Sequence, residues 1–171
     1  FIVLDRPNPI NGVNMEGPIL DDLTLRQVTS TAYFPVPIRH GLTAGEIALL
    51  YNDEIKHPEL LVIKMKGWIR KQWWDETKLP WVPTSPNMPN IEAAAMYPGI
   101  GCFEASNLSV GRGTPVPFRW VGAPWMDADT IVQKLRKKKL KGVKLFTQDF
   151  TPSKSVFAGV PSRGIRIILE D

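Results

Sequence analysis

The sequence predicts an α/β protein built around a parallel sheet, and three observations lead to that fold class. Apolar runs at residues 1–4 and 60–65 have the length and composition of buried strands. Between them, residues 43–54 combine a helix-capping pattern with an amphipathic run, which predicts a helix. Strand, helix and strand in this order form a βαβ unit with a parallel sheet of buried strands.

The first predicted strand, residues 1–4, ends in a loop that two nearby prolines make rigid. In open α/β sheets ligands bind beyond the carboxyl ends of strands, so Asp5, Arg6 and Asn8 are candidate binding residues. An Asp5–Arg6 pair that only holds the loop explains the same residues equally well. The polar, glycine- and proline-containing pattern of residues 10–38 predicts a long loop with little regular structure. Loops of this length in a compact domain usually have a functional role. Glu16 is the candidate binding residue of that loop.

The predicted helix begins at a capping box formed by Thr43 and Glu46. In this motif the glutamate accepts the backbone N–H of its own N-cap residue, which gives Glu46 a complete structural explanation. His40 and Glu46 also lie at a helix N-terminus, where the helix dipole and a titratable imidazole favour a catalytic role. The spacing alone favours the cap, and both interpretations stay open.

The second half of the chain predicts shorter elements separated by rigid loops. Residues 68–77 predict a short helix, and residues 79–89 predict an extended loop because four prolines fall within it. That loop holds Ser85 and Asn87 with little entropy left to lose on binding a ligand. Further elements follow: a helix capped by Asn90 that runs through Met96 to a stop at Pro98, strands at 118–121, 143–146 and 165–169, and a helix from Asp127 to a stop at Gly142.

Residues 104–118 form a turn-rich segment that concentrates an acid, amides, hydroxyls and a glycine-flanked arginine. Gly111 and Gly113 free the backbone to take positive φ and allow a ligand to approach closely. Arg112 offers a planar fork of donors that suits a carboxylate or a pair of sugar hydroxyls. A turn in which Arg112 pairs with a surface acid is the simpler alternative, and from the segment alone it is favoured.

Composition limits the classes of function that remain. The 171 residues suit one domain or parts of two, and 16 prolines with 13 glycines indicate much ordered loop. Six tryptophans suit flat apolar ligands, although core packing explains any one of them equally. The net charge of +4 depends on residues 134–141, which supply six of 21 basic side chains; the remainder carries 15 basic against 17 acidic groups. The basicity is therefore local, and we expect no nucleic-acid partner.

Other common classes lack their signatures. Cys102 is the single cysteine, so no internal disulfide or cysteine-based metal site can form. No apolar run approaches the ~20 residues of a membrane span, and no leader sequence is recognisable. Nucleotide-binding and phosphate-loop glycine motifs and a nucleophile elbow are also missing, and two isolated histidines argue against a metal hydrolase. We expect no cofactor and no metal.

The residues that remain suit carbohydrate chemistry. Carboxylates at Asp5, Glu16, Glu46 and Glu104 lie in predicted loops or caps that are rich in arginine, asparagine, serine and tryptophan. Carboxylates supply acid, base or nucleophile, aromatic rings stack on sugar faces, and amides bind hydroxyls. Glycoside hydrolysis uses this combination of groups.

Several ordered motifs resemble the NamZ family of bacterial exo-β-N-acetylmuramidases, in the order and spacing of that family and across nearly the whole chain. They are Leu4-Asp-Arg-Pro-Asn-Pro9, Glu16-Gly-Pro18, Arg39-His-Gly-Leu-Thr-Ala-Gly-Glu-Ile-Ala48, Leu79-Pro-Trp-Val82, Ser85-Pro-Asn-Met-Pro89, Glu104-Ala-Ser-Asn-Leu-Ser-Val-Gly-Arg-Gly-Thr114, Pro117-Phe118 and Gly122-Ala-Pro-Trp125.

The resemblance implies a glycoside hydrolase that releases N-acetylmuramic acid from the non-reducing end of peptidoglycan-derived chains. It implies a Rossmann-like catalytic domain and a smaller α+β domain with the active cleft between them. Residues 1–96 would be the later part of the first domain, and residues 97–171 the beginning of the second. The family's Gly-Pro-Glu-His-Gly segment, whose glutamate is the leading catalytic candidate, is absent from this sequence. We therefore expect an internal segment of a longer protein, inactive by itself and secreted or periplasmic.

The resemblance also gives roles to residues of this sequence. Glu46 or Glu104 would be the acidic partner of the family's upstream glutamate, and His40 would orient or tune that partner. Arg112 or Arg6 would bind the lactyl carboxylate that distinguishes muramic acid from glucosamine. Trp81 or Trp125 would form the sugar platform. A non-catalytic module that binds peptidoglycan fragments and a glycosidase of different sugar specificity remain the alternatives.

Overall fold

The computed structural model describes residues 1–22, 24–25, 33–56 and 59–170. The chain divides into two compact units, Phe1–Trp81 and Val82–Asp171. The sequence predicted a boundary near residue 96, some fifteen residues after the point where the two units meet along the chain. Residues 23 and 26–32 of the predicted long loop lie outside the described residues.

The first unit contains the predicted βαβ arrangement. Strand β1 is Ile2–Leu4, helix α1 is Ala44–Ile55, and strand β4 is Leu61–Ile63. Strands β1 and β4 pair in parallel, with Val3 opposite Val62. A Cβ placed on Gly45 would lie 2.6 Å from Val62 Cγ1, so this face of the sheet packs directly on α1. The prediction of a parallel sheet crossed by a capped helix is confirmed.

The prediction that these strands are buried is wrong for one face of the sheet in the described residues. Ile2 is 70% exposed and Leu4 is 57% exposed, and Leu61 and Ile63 of β4 are exposed beside them. Alternate strand residues point to opposite faces, and α1 covers the face that carries Val3 and Val62. The opposite apolar face is therefore open in the described chain.

A small antiparallel pair lies within the stretch that was predicted to be loop. Strand β2 is Glu16–Ile19 and strand β3 is Pro37–Arg39, with Glu16 opposite Arg39 and a register irregularity between Glu16 and Ile19. Gly17 takes a φ of +95° inside β2, and Pro18 follows it. Because glycine and proline break the usual strand pattern, the sequence did not indicate this pairing.

The predicted helix over residues 68–77 is also wrong, because only a 3-10 turn forms, at Asp75–Thr77. The backbone N–H of Trp74 donates to the carbonyl of Pro9 at 3.0 Å. The backbone N–H of Trp73 donates to the carboxylate of Glu76 at 2.7 Å. Since these donors have partners outside a helical ladder, the segment folds as a series of turns.

The second unit begins with helix α2, Ile91–Ile100, whose N-cap Asn90 accepts the backbone N–H of Ala93 at 3.0 Å. The cap is confirmed, but the predicted stop at Pro98 is wrong. Pro98 lies inside the helix, which gives up the ladder bond that its missing N–H would make and continues into a 3-10 turn at Gly101–Ala105.

A three-stranded antiparallel sheet completes the second unit, in the order β5–β7–β6. Strand β5 is Trp120–Ala123, β6 is Val143–Phe150 and β7 is Ser162–Leu169. The strand predicted from Phe118 starts two residues later, because Phe118 has a φ of +63° that no strand residue adopts.

Helix α3, Ala128–Lys137, packs across β6 and β7 and begins at the predicted cap, Asp127. It buries Val132 against Leu145 and Ile167. The helix ends before the predicted stop at Gly142. The fold as a whole is therefore mixed α/β, with a parallel pair in the first unit and antiparallel sheets in both.

Candidate functional site

Asp5 connects the loop after β1 to the N-terminus of α1. Its Oδ1 accepts the backbone N–H of Gly45 at 2.7 Å and that of Arg6 at 2.9 Å. Its Oδ2 accepts the hydroxyl of Thr43 at 3.1 Å. A carboxylate at a helix N-terminus satisfies free N–H groups and interacts favourably with the helix dipole. The geometry therefore gives Asp5, expected as a binding residue, a complete structural role.

Glu46 closes the predicted capping box and also forms an ion pair. Its Oε2 accepts the backbone N–H of Thr43 at 2.9 Å, and Thr43 Oγ1 accepts the N–H of Glu46 at 3.2 Å. Its Oε1 pairs with Arg70. Partial burial raises the pKa of Glu46, but the hydrogen bonds from Arg70 and Thr43 and the charge of Arg70 outweigh it, so the pKa is below its usual value. Glu46 is an ionised carboxylate at neutral pH.

Arg70 is a residue of this cluster that sequence reasoning missed. Arg70 binds Glu46 through Nη1. It also donates from Nε to the carbonyl of Gly12 at 3.1 Å and from Nη2 to the carbonyl of Gly41 at 2.9 Å. The guanidinium lies 5.9 Å from the ring centre of Trp68. Nothing in the local sequence pattern indicates the three hydrogen-bonded partners, because they are 24 to 58 positions away along the chain.

His40 lies beside this cluster and is held in one tautomer. The backbone N–H of Leu42 donates to His40 Nδ1 at 3.0 Å, so in the neutral ring Nε2 carries the proton. Burial lowers the pKa of His40 and favours that neutral ring. Both oxygens of Glu46 are taken by Thr43 and Arg70, and the described contacts include no hydrogen bond between His40 and Glu46.

The other expected binding residues of the first unit mainly hold its loops. Asn8 is buried, and its side chain donates to the carbonyl of Leu42 at 3.0 Å and accepts the N–H of Ile10 at 3.2 Å. Glu16 pairs with Arg39 at 2.7 Å across β2 and β3. Arg6 is exposed and donates from Nη1 to the carbonyl of Asp5 at 3.0 Å. Their roles in binding stay predictions.

A second cluster lies in the other unit, in the segment 104–118. Glu104 and Arg112 form a two-point ion pair, with Nε bound to Oε1 and Nη2 bound to Oε2 at 2.8 Å. Both side chains are about one quarter exposed, at 28% and 27%. The hydrogen bond to Glu104 raises the pKa of Arg112 further above its usual value. Glu104 binds the side of the guanidinium that carries Nε and Nη2. The third nitrogen, Nη1, makes no hydrogen bond to any of the described residues.

The glycines on either side of Arg112 are required by the backbone, as predicted. Gly111 and Gly113 have φ values of +77° and +76°. A Cβ on Gly113 would lie 2.3 Å from Ser153 Oγ, and one on Gly111 would lie 3.0 Å from the carbonyl of Trp120. Close packing against other loops of the unit, with no ligand involved, therefore already explains both glycines.

The ring of Phe118 packs against the guanidinium of Arg112. Its ring is fully buried, lies 5.1 Å from the guanidinium carbon of Arg112, and meets the ring of Tyr97 edge to face at 4.9 Å. The cation–π contact and the ion pair hold the guanidinium from two sides. Phe118 belongs to the core cluster with Ala93 and Val110, so Arg112 packs directly on a residue of that core.

The remaining expected binding residues differ in how accessible they are to a ligand. They are Ser85, Asn87, Trp81 and Trp125. Trp125 is 59% exposed, whereas Trp81 is half-buried and packs edge to face on Trp74 at 5.6 Å. The Ser85 hydroxyl accepts the backbone N–H of Asn87 at 3.1 Å, which is a local turn contact. Of the two candidate sugar platforms, Trp125 has the more accessible ring.

The described ranges contain neither a metal-binding cluster nor a membrane-spanning helix. No group of three or more histidine, cysteine, aspartate or glutamate side chains there comes close enough to hold a metal ion. No helix in the same part of the chain is both long and apolar enough to cross a bilayer.

Comparisons with known proteins agree over the whole chain. Residues 1–92 match the family model described as "Exo-beta-N-acetylmuramidase NamZ, N-terminal", and residues 95–171 match the corresponding C-terminal model. The chain is 41% identical over 172 residues to the peptidoglycan β-N-acetylmuramidase NamZ of Bacillus subtilis (strain 168). That alignment covers 100% of this chain and 41% of the relative, so the chain spans about two fifths of the relative's length.

Two solved structures from Bacteroides fragilis NCTC 9343 share the fold. One DUF1343 family protein superposes with a TM-score of 0.88 and 36% identity, covering 100% of this chain and 45% of its own. A second gives a TM-score of 0.72 and 30% identity, covering 96% of this chain and 43% of its own. With both family models matched in consecutive order, the chain belongs to the NamZ family of exo-β-N-acetylmuramidases.

Proposed function

We propose that this chain is part of a glycosidase that releases N-acetylmuramic acid from the non-reducing ends of peptidoglycan-derived chains. Family membership supports the reaction class, and the B. subtilis relative carries the name of that activity. The observation that carries the proposal at the level of residues is the arginine-held carboxylate in each unit, Glu46 with Arg70 and Glu104 with Arg112. Peptidoglycan fragments are the proposed substrates and the location is outside the cytoplasm, where that polymer lies.

The state of Glu46 defines what it contributes. An ionised carboxylate cannot donate a proton at neutral pH, but it can act as a base or nucleophile or stabilise an oxocarbenium-like transition state. We therefore assign Glu46 to one of the roles that need a charged carboxylate. The proton for the leaving group is assigned to the glutamate of the family's Gly-Pro-Glu-His-Gly segment. His40 then offers Nε2–H as a hydrogen-bond donor to a substrate oxygen.

Arg112 is the proposed ligand of the lactyl carboxylate. Its Nε edge is taken by Glu104, so a substrate carboxylate is bound by Nη1 and the second hydrogen of Nη2. Glu104 then fixes the direction of the guanidinium, and its charge reduces the attraction for anions in general. Arg6 is the weaker candidate, because its Nη1 already donates to the local backbone. The exposed ring of Trp125 is the proposed sugar platform.

The first unit is also proposed to be part of a larger Rossmann-like sheet. The support is the open apolar face of β1 and β4, which carries Ile2, Leu4, Leu61 and Ile63. Parallel sheets are normally covered on both faces, so this face is typical of a sheet with a further layer.

Turnover of a chromogenic N-acetylmuramic acid glycoside by the intact protein tests the proposal. We expect Glu46→Gln to lower kcat by roughly a hundredfold or more, the scale of a lost catalytic charge. Glu104→Gln removes the charge that fixes the Arg112 guanidinium, so we expect it to lower turnover of the glycoside mainly through a higher KM. Glu92→Gln is the matched control, because Glu92 forms an ion pair with Arg119 outside the proposed site. Near-native turnover in both test variants would sink the assignment of these carboxylates.

Substrate selectivity tests Arg112 separately. We expect Arg112→Ala to raise KM for muramic acid glycosides much more than for the matching glucosamine glycosides, because only the former carry the carboxylate. Arg112→Lys keeps the charge and should recover part of the difference. Equal losses for both sugars would rule out the carboxylate role.

A second candidate function is a module that binds peptidoglycan fragments without cleaving them. It is favoured by the engagement of Asp5, Glu16, Glu46 and Glu104 in caps or ion pairs within the chain. Two results together would support this candidate over the glycosidase. The intact protein binds muropeptides without turning them over, and Glu46→Gln and Glu104→Gln keep that binding.

A further inference from the structure

Two loops and the first turn of α1 in the first unit meet at one side chain, Arg70. We propose that Arg70 is a positioning residue, which fixes the carboxylate of Glu46 relative to the His40 loop for catalysis. The inference rests on the proposed glycosidase function and adds to it a residue that the motifs of the sequence did not indicate. It depends on the geometry of four hydrogen bonds around Gly12, Gly41 and Glu46.

The contacts divide among separate parts of the chain. The Nε and Nη2 atoms of Arg70 bind the carbonyls of Gly12 and Gly41, and Nη1 binds Glu46. The backbone of Arg70 takes part as well, because its carbonyl accepts the N–H of Gly12 at 2.6 Å. All three nitrogen atoms of the guanidinium are therefore used, each for a different partner.

The two glycines make this convergence possible. A Cβ on Gly12 would lie 3.1 Å from the carbonyl of Gly41, and a Cβ on Gly41 would lie 3.2 Å from the carbonyl of Gly12. The two backbones thus approach as closely as residues without side chains allow. Gly41 adjoins His40, so the contact that fixes the carbonyl of Gly41 also fixes the loop that carries the imidazole.

A lysine cannot replace this arrangement. The guanidinium is planar and rigid, and it directs donors to several acceptors at fixed angles, whereas an ammonium group is a compact point charge on a flexible stem. Lysine at position 70 would keep the charge beside Glu46 and lose the fixed geometry to Gly12 and Gly41. Charge and geometry can therefore be tested apart.

The acid limb of the pH–rate profile reports the charge environment of Glu46. It would not shift if Arg70 only stabilised the fold. Arg70 favours the ionised carboxylate, the backbone N–H of Thr43 does the same, and Asp5 across the helix N-terminus opposes it. Burial lowers the pKa of the neighbouring His40 and favours its neutral form. Removing Arg70 leaves only the N–H of Thr43 to counter the charge of Asp5 and the burial of Glu46, so the acid limb of the pH–rate profile moves to higher pH.

The experiment compares Arg70→Ala and Arg70→Lys with the unchanged intact protein on a muramic acid glycoside. We expect kcat to fall by about a hundredfold in Arg70→Ala, since displacing a catalytic group by ~1 Å has that effect, with a smaller change in KM. The acid limb moves upward in Arg70→Ala and stays near its place in Arg70→Lys, which keeps the charge. Arg70→Lys still loses rate, because it loses the geometry.

A double variant separates positioning from general stability. If Arg70 acts through Glu46, Arg70→Lys lowers kcat no further in the Glu46→Gln background, whereas independent effects would multiply. Arg39→Lys is the control. Arg39 also fixes the loop, through the carbonyl of Ile10 at 2.8 Å, but makes no described contact with Glu46. Its substitution should lower the melting temperature and leave the acid limb in place.

The outcomes distinguish the two proposals. No turnover by the unchanged intact protein would overturn the glycosidase function and, with it, this role of Arg70. Turnover that persists within twofold in a folded Arg70→Lys protein, with an unmoved acid limb in Arg70→Ala, would overturn only the role of Arg70. If Arg70→Ala does not fold, the folded Arg70→Lys protein and its double variant decide: multiplicative losses with Glu46→Gln contradict positioning.

Discussion

Replacing Asp5 by alanine distinguishes a residue that binds substrate from one that holds the fold. Asp5 accepts hydrogen bonds from two backbone N–H groups and the hydroxyl of Thr43. Hydrogen bonds to a charged group contribute roughly 1.5–3 kcal/mol each, and Asp5 is only half-buried, so we take the lower part of that range. With three such bonds at the lower end, we expect Asp5→Ala to lower the free energy of unfolding by roughly 4.5 kcal/mol.

Asp5→Asn separates charge from hydrogen bonding in the same position. The amide keeps an oxygen for the N–H of Gly45 but loses the negative charge at the start of α1. We expect a loss of about 1–2 kcal/mol, the scale of a helix cap and its dipole interaction. Asp53→Ala is the control, because Asp53 is exposed on α1 and forms a surface pair with Lys56; it should leave the urea midpoint unchanged.

Urea unfolding of the intact protein, followed by tryptophan fluorescence, measures these values. KM for a muramic acid glycoside is determined on the same preparations. If Asp5→Ala unfolds within about 0.5 kcal/mol of the unchanged protein while KM rises, the structural argument is refuted and Asp5 binds substrate. If stability falls as expected and Asp5→Asn keeps its KM, the anchoring role is supported.

Three further predictions concern packing, the core and pH. Gly45→Ala should lower the urea midpoint by an amount equivalent to about 1–3 kcal/mol, because its Cβ would lie 2.6 Å from Val62 Cγ1; an unchanged midpoint would contradict this close packing. Phe118→Ala should cost roughly 3–5 kcal/mol in thermal unfolding, since its ring is fully buried; a loss below about 1 kcal/mol would mean that the cavity collapses. The folded-state pKa of Glu46 is below its ordinary value of 4.5, so its stabilising effect is full above pH 4.5 and is lost as pH falls through the folded-state pKa. Glu46→Gln should flatten that part of the curve of stability against pH, and an equally steep curve would refute the assignment.

Local patterns predicted the local structure well. The capping box of Thr43 and Glu46 and the caps Asn90 and Asp127 depend only on residues within three positions, and all three are confirmed. The parallel pairing of β1 and β4 followed from the order of elements and is also confirmed. The family resemblance, which rested on motifs spread along the chain, is confirmed by the family models that match.

Contacts between distant positions were not predictable in the same way. Arg70 lies 58 positions from Gly12, and no periodicity relates the two. The turns at residues 68–77 depend on a hydrogen bond from Trp74 to Pro9, which a helix-forming pattern cannot reveal. For the candidate site, the sequence selected Glu46, Glu104 and Arg112 but gave neither the ion pair with Arg70 nor the pairing of Glu104 with Arg112.

The position of Phe118 beneath Arg112 has a consequence for local dynamics. Its backbone N–H donates to the carbonyl of Val110 at 2.8 Å, inside a core cluster, while its ring supports the guanidinium. Exchange of that amide with solvent deuterium requires the core to open, so its protection should approach that of global unfolding of the unit. The guanidinium of Arg112 therefore packs against a part of the chain whose amides we expect to exchange among the slowest.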